Sequence, residues 1–84
     1  MRRVLWSPRG LALYERDVAA RRARGDIERT ILMLAQRAIG RPGRISGTYE
    51  KNVIGQPYVI VYAFLPRDDG GEDDILVLRI TYDS

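Results

Sequence analysis

The chain contains no cysteine and no histidine. Without cysteine there is no disulfide framework and no thiolate chemistry. Without histidine the usual general base near neutral pH is gone, and so is every Cys/His zinc site. Any acid–base role falls to Glu, Asp, Lys, Tyr or Arg. No apolar run approaches the roughly 18 residues of a membrane span. The basic start Met1-Arg2-Arg3 is not followed by the apolar core of an export signal. These absences predict a cytoplasmic protein without a cofactor or bound metal. No internal repeat and no linker composition is visible either.

What is present is a short chain of 84 residues, which predicts one domain over 1–84. A domain this small buries only roughly 60–65% of the surface its unfolded chain exposes, so a partner can add much of its stability. Apolar residues make up 45% and charged residues 30%, as in a soluble globular protein. The net charge of +3 conceals an asymmetry. Residues 1–44 hold eleven Lys and Arg against four Asp and Glu, and residues 45–84 hold three against seven. A basic first half suits an acidic partner, either nucleic acid or an acidic peptide, or is simply a solvated helix surface.

Arg3–Trp6 reads as a short strand. Ser7-Pro8 is a helix start, because Ser caps well and Pro is tolerated at the first helical position. Leu11, Tyr14 or Glu15, Val18 and Arg22 then share one helical face. Gly25 is expected to break this helix and Asp26 to cap a second, whose apolar stripe is Ile27, Ile31, Leu34, Ala35 and Ala38. Gly40-Arg41-Pro42-Gly43 ends the helical part. The period then changes. Tyr49–Ile54 can be a strand, Gly55-Gln56-Pro57 a turn, Tyr58–Phe64 a strand rich in β-branched and aromatic residues, and Ile75–Tyr82 a last strand. The order β-α-α-β-β-β predicts an α+β domain with a helical hairpin on one face of a mainly antiparallel sheet.

Three stretches in this order resemble the RelE/ParE toxins. They are Val4-Leu5-Trp6-Ser7-Pro8 leading into the first helix; Gly40-Arg41-Pro42-Gly43-Arg44 followed by Gly47-Thr48 and Glu50; and Gly55-Gln56-Pro57-Tyr58-Val59-Ile60-Val61-Tyr62, which looks like the central hairpin of ParE-like members. The resemblance implies the toxin of a type II toxin–antitoxin system, restrained by a ParD-like antitoxin whose acidic and apolar segment wraps it. ParE-like members poison DNA gyrase, whereas other members cleave mRNA on the ribosome. The sequence departs from the family pattern in a short helical hairpin, a long acidic loop at 67–74, and the lack of a histidine after Arg79.

Strand alternation places Leu76, Leu78, Ile80 and Tyr82 on the face under the helices, and Ile75, Val77, Arg79 and Thr81 on the open face. Arg79 there offers five donors to phosphate or carboxylate, where the family's ribonucleases set an arginine against the scissile phosphate. The alternative is an ion pair with Glu50 or Asp83. Lys51 and Arg67 could widen this positive face for target binding, or be plain surface charges. A ribonuclease would need Arg79 and Lys51 for the phosphorane-like state, with Glu50 or Tyr82 moving the proton; Glu50 would require burial, and Tyr82 reads as core. The stripe Tyr58, Ile60, Tyr62, Phe64 reads as core rather than a base-stacking platform. The run 68–74 lacks calcium-loop spacing and reads as a solvated turn. Arg16, Arg21, Arg22, Arg24 and Arg29 cluster around the helical hairpin and are the expected antitoxin contacts.

Overall fold

A computed structural model describes residues 1–83. Its elements run β1 (Val4–Trp6), α1 (Pro8–Arg16), α2 (Val18–Arg22), α3 (Arg24–Arg37), β2 (Arg41–Pro42), β3 (Thr48–Asn52), β4 (Tyr58–Leu65) and β5 (Asp74–Tyr82). One five-stranded sheet has the order β1-β5-β4-β3-β2. Only the β1–β5 pair is parallel, and the other three are antiparallel. The helices cover one face, so the α+β architecture expected from the sequence is the one found. No described helix is long and apolar enough to cross a membrane.

The helical region differs from expectation in its breaks. Ser7 caps α1 with Pro8 behind it, and its hydroxyl accepts the Gly10 N–H at 3.0 Å. The first helix ends at Asp17, whose extended backbone (φ −85°, ψ 95°) closes α1 while its carboxylate caps α2 by accepting the Ala20 N–H at 2.9 Å. Asp competes with helix continuation in this way because its short side chain can bond nearby backbone. Of the expected first face only Tyr14 is buried, whereas Leu11, Val18 and Arg22 are exposed. Gly25 does not break the chain: it lies inside α3, and Asp26 sits in that helix's first turn rather than at its cap. Of the second stripe, Ile27, Ile31, Leu34 and Ala35 are buried as expected, whereas Ala38 falls beyond the helix and is half-buried. The helix then ends on Ala38 in the left-handed region (φ 48°, ψ 41°), where glycine is usual and an alanine costs roughly 1–2 kcal/mol.

The core joins Tyr14, Ala20, Ala23, Ile27, Ile31 and Leu34 of the helices to Val53, Tyr58, Ile60, Tyr62, Ile75 and Val77 below them. Ile75 and Val77 are fully buried, the reverse of the face expected for them, while Leu76 and Leu78 are only half-buried. The cause is an irregularity in the β4–β5 ladder. Val61 pairs with Arg79 but Tyr62 pairs with Val77, so Leu78 has no partner. One extra residue reverses the alternation on its far side. Ile80 and Arg79 therefore keep their expected faces, and everything before Leu78 changes face.

Helix α1 is seated on this bulge. The Ser7 hydroxyl donates to the Leu78 carbonyl at 3.1 Å, and the Ser7 N–H donates to the Val77 carbonyl at 2.9 Å. Gly10 is pressed so close that a Cβ there would collide with the Leu78 carbonyl oxygen. Around Gly25 there is open space. Gly10→Ala should therefore destabilise the protein by about 1–3 kcal/mol through forced displacement of α1, whereas Gly25→Ala should stabilise it by roughly 0.5–1 kcal/mol. Urea unfolding midpoints check both; equal effects at the two glycines would contradict the close approach.

Candidate functional site

The sheet face away from the helices carries a groove of about 260 Å³ over the β2–β5 strands. Its centre is a transverse row set by register: Arg79 on β5 lies beside Val61 on β4, Val61 beside Glu50 on β3, and Glu50 beside Arg41 on β2. Thr81 and Val59 form the next row and reach the groove too. A tight loop supplies Arg44 and Ile45. It is closed by Gly43 N–H to Thr48 carbonyl at 2.8 Å and Thr48 N–H to Ile45 carbonyl at 3.0 Å, with Gly47 at φ +86°. Val59 and Val61 are buried beneath the longer side chains, giving the groove an apolar floor.

The charges on this face are three arginines, Arg41, Arg44 and Arg79, against Glu50 and Asp83. Arg41 bridges Glu50 at 3.2 Å and the Asn52 side-chain oxygen at 2.6 Å. Arg79 is exposed and makes no ion pair among the described residues; neither Glu50 nor Asp83 holds it. Two strand spacings, roughly 10 Å, separate Glu50 from Arg79 along the row. A guanidinium in such a position can take a phosphate or a carboxylate in bidentate fashion.

Of the other residues singled out in the sequence, Glu50 and Tyr82 share the groove with Arg79, whereas Lys51 and Arg67 do not. Lys51 pairs in register with Ile60, so it belongs to the helix side of the sheet and lines a separate groove beside α3. Arg67 lies in the β4–β5 connection, bound to Asp69 at 2.6 Å, at the far end of the strands. The Gly71 N–H and Arg67 together hold the Asp69 carboxyl below its usual range, as in a closed polar turn. Tyr82 is not core: it is 66% exposed, set edge-on to Tyr58, and reaches the end of the open groove. Sequence reading had passed over Arg41 and Arg44 as site residues, although both stand in the Gly40–Arg44 stretch that carried the resemblance. Their signal was a glycine-bounded loop feeding an edge strand.

The arginines of the helical hairpin are all exposed. Arg24 pairs with Glu28 at 3.2 Å and Arg29 with Asp26 at 3.0 Å, while Arg16, Arg21 and Arg22 form no ion pair among the described residues. The aromatic stripe packs inward as read. Tyr62 is fully buried with its hydroxyl unpartnered, and burial pushes that phenol above its ordinary pKa.

No protein-family model and no curated protein matches the chain. Its fold is similar to that of a chain in the solved structure of the chromosomal ParDE TA system from P. aeruginosa, with 20% identity, a TM-score of 0.66, and coverage of 100% of this chain and 98% of that one. The α+β fold expected from the sequence is thus observed, and it is shared with a chain of that ParDE structure.

Not every arginine here serves the groove. Arg3 holds the buried carboxylate of Asp74 at 2.6 Å, and that contact raises the Arg3 pKa. Arg79→Ala should leave the unfolding free energy within about 0.5 kcal/mol of wild type. Arg3→Ala, which strands a buried carboxylate, should lower it clearly more. Parallel urea titrations decide this, and a large loss at Arg79 would mean that it is structural.

Proposed function

We propose that the chain is the toxin of a type II toxin–antitoxin system, held in check by a ParD-like antitoxin, and that it acts in the cytoplasm by binding DNA gyrase rather than by catalysis. The observation that supports this best is the open-face groove: Arg79 stands free of ion pairs among the described residues, over an apolar floor, and the carboxylate of its row, Glu50, is tied to Arg41. Cleavage of RNA needs an acceptor for the 2′-hydroxyl proton and a donor for the leaving oxygen. Glu50 is engaged by Arg41 at 3.2 Å, and Lys51 lies on the other face. The aromatic stripe that could have stacked bases is spent on the core, where Tyr49, Tyr62 and Phe64 pack against one another. A basic rim over an apolar floor suits an acidic protein surface. The likeness in fold to a ParDE chain supports the same reading.

The second reading is a ribosome-dependent mRNA endoribonuclease. It is favoured by one feature, the shared row of Glu50 and Arg79, with Tyr82 at the groove's end. A third is an antitoxin-binding module without toxicity.

Induced expression should arrest growth and trigger the DNA-damage response, and the purified protein should inhibit gyrase supercoiling. Arg79→Ala and Arg44→Ala should each weaken inhibition by about tenfold or more, the value of one lost charge-assisted hydrogen bond. Codon-phased cuts in translated messages, with supercoiling unaffected, would instead establish the ribonuclease. Neither effect in a protein that still binds its antitoxin would establish the inactive module.

A further inference from the structure

Between Thr30 and Pro66 the chain holds four basic residues, Arg37, Arg41, Arg44 and Lys51, and a single acidic one, Glu50. The fold gathers all of them at one margin of the sheet, where β2 is the outermost strand. Arg41 lies on β2 and Arg44 in the loop that joins it to β3, and both line the open groove. Lys51 is on β3 but on the helical side, where it shares a groove with Arg37 from the last turn of α3. Cations therefore stand on both faces of the same sheet edge. Glu50, the one carboxylate among them, is already held by Arg41 at 3.2 Å. Arg37, Arg44 and Lys51 make no ion pair among the described residues. Elsewhere in the strand half, Asp69, Glu72 and Asp74 of the β4–β5 connection pair with Arg67, Arg2 and Arg3, and Asp83 stands at the end of the open groove.

A two-faced basic edge is an unusual shape for a contact with one flat acidic surface. A protein seated on the open groove would reach Arg41 and Arg44 and leave Arg37 and Lys51 unused. A nucleic-acid duplex matches both sets. Its major groove, about 12 Å wide and about 8.5 Å deep, admits a two-stranded β-ribbon and carries a phosphate backbone along each wall. β2 and β3 form such an antiparallel ribbon, with β2 leading. A single strand is a poorer match, because proteins grip single strands by stacking bases on exposed aromatic rings. Among the described residues Tyr82 is the one exposed aromatic side chain.

We propose that this edge grips the phosphate backbones of a DNA duplex, with Arg41 and Arg44 on one strand and Arg37 and Lys51 on the other. Phosphate contacts fix position without reading bases, so the grip is independent of sequence. The choice of duplex DNA rests on the gyrase reading above, because gyrase works on a DNA duplex, and it adds to that reading a contact with the nucleic acid itself. Arg79 lies three strand spacings, roughly 14 Å, in from β2 and is left for the protein target.

The test uses no gyrase. A fluorescein-labelled DNA duplex of arbitrary sequence is titrated with the chain at several salt concentrations, and binding is read by anisotropy. The slope of log affinity on log salt should be roughly −3 to −4 for wild type, the value for four phosphate contacts. Arg37→Gln/Lys51→Gln should weaken binding about tenfold or more and flatten the slope by roughly two, and Arg44→Gln should flatten it by roughly one. Arg21→Gln/Arg22→Gln removes as much charge from the helical hairpin and should change neither quantity. All these positions are exposed or half-buried, and thermal melts of the variants verify the fold. Equal losses in Arg37→Gln/Lys51→Gln and Arg21→Gln/Arg22→Gln would mean attraction by net charge alone and would overturn the edge. Tighter binding of single-stranded DNA or RNA than of the duplex would overturn it too. Failure of wild type to bind the duplex overturns this inference and leaves the gyrase reading, tested by supercoiling, standing. Salt-dependent duplex binding through the edge by a chain that does not inhibit supercoiling supports the edge and overturns that reading.

Discussion

Leu78 stands in β5 without a partner on β4, and its carbonyl accepts the Ser7 hydroxyl at the point where α1 leaves β1. Three consequences follow from that contact. The extra residue sends Ile75 and Val77 into the core while Arg79 still faces outward. It fixes where α1 can sit, because only a glycine at position 10 allows the helix to approach the bulged carbonyl. It also ties the parallel edge strand to the helical layer, since Ser7 both caps α1 and bonds to β5. Bulges commonly re-aim a side chain beside a functional surface, and here the residue that follows the bulge is Arg79.

The sheet separates two kinds of surface. On its open face, arginines from three different segments meet over buried valines, an arrangement suited to a carboxylate- or phosphate-bearing partner. On its helical face, the end of α3 leaves an apolar groove edged by Arg37 and Lys51. Lys51 and Glu50 are neighbours in the chain yet serve opposite faces, because side chains alternate along β3. A protein of this size has little interior to spare. Most of its aromatic side chains pack against the core, leaving charge and aliphatic surface for recognition.

The layout was legible in the sequence wherever one signal acted alone. The Ser7-Pro8 start, the Ile27–Ala35 stripe and the Tyr58–Phe64 strand each follow from local chemistry, and each appears as read. What was not legible depended on tertiary contacts. The bulge at Leu78 has no local sequence mark, so strict alternation misplaced Leu76 and Val77 while placing Arg79 correctly. Gly25 is read as a break by propensity alone, and Asp17 carries no reading in the sequence. Asp17 ended the helix instead, because its carboxylate had a backbone N–H to cap. Gly25 continues the helix because its cost, roughly 1 kcal/mol against alanine, is outweighed by the packing of the buried α3 stripe. In the site, Arg79 could be placed by alternation, but Arg41 and Arg44 reach it through β2 and its loop, a pairing of distant segments that spacing does not reveal.

The phase change at Leu78 decides which residues face the core and which face the groove, so it is the claim to test first. The natural absence of cysteine makes the test clean: single cysteines at Leu76, Val77 and Arg79, each labelled by a maleimide under native conditions, report accessibility directly. The rates should fall in the order Arg79→Cys, Leu76→Cys, Val77→Cys, with the last protected until the protein unfolds. Rapid labelling of Val77→Cys with protection of Leu76→Cys would show that β5 alternates without interruption and would contradict the account.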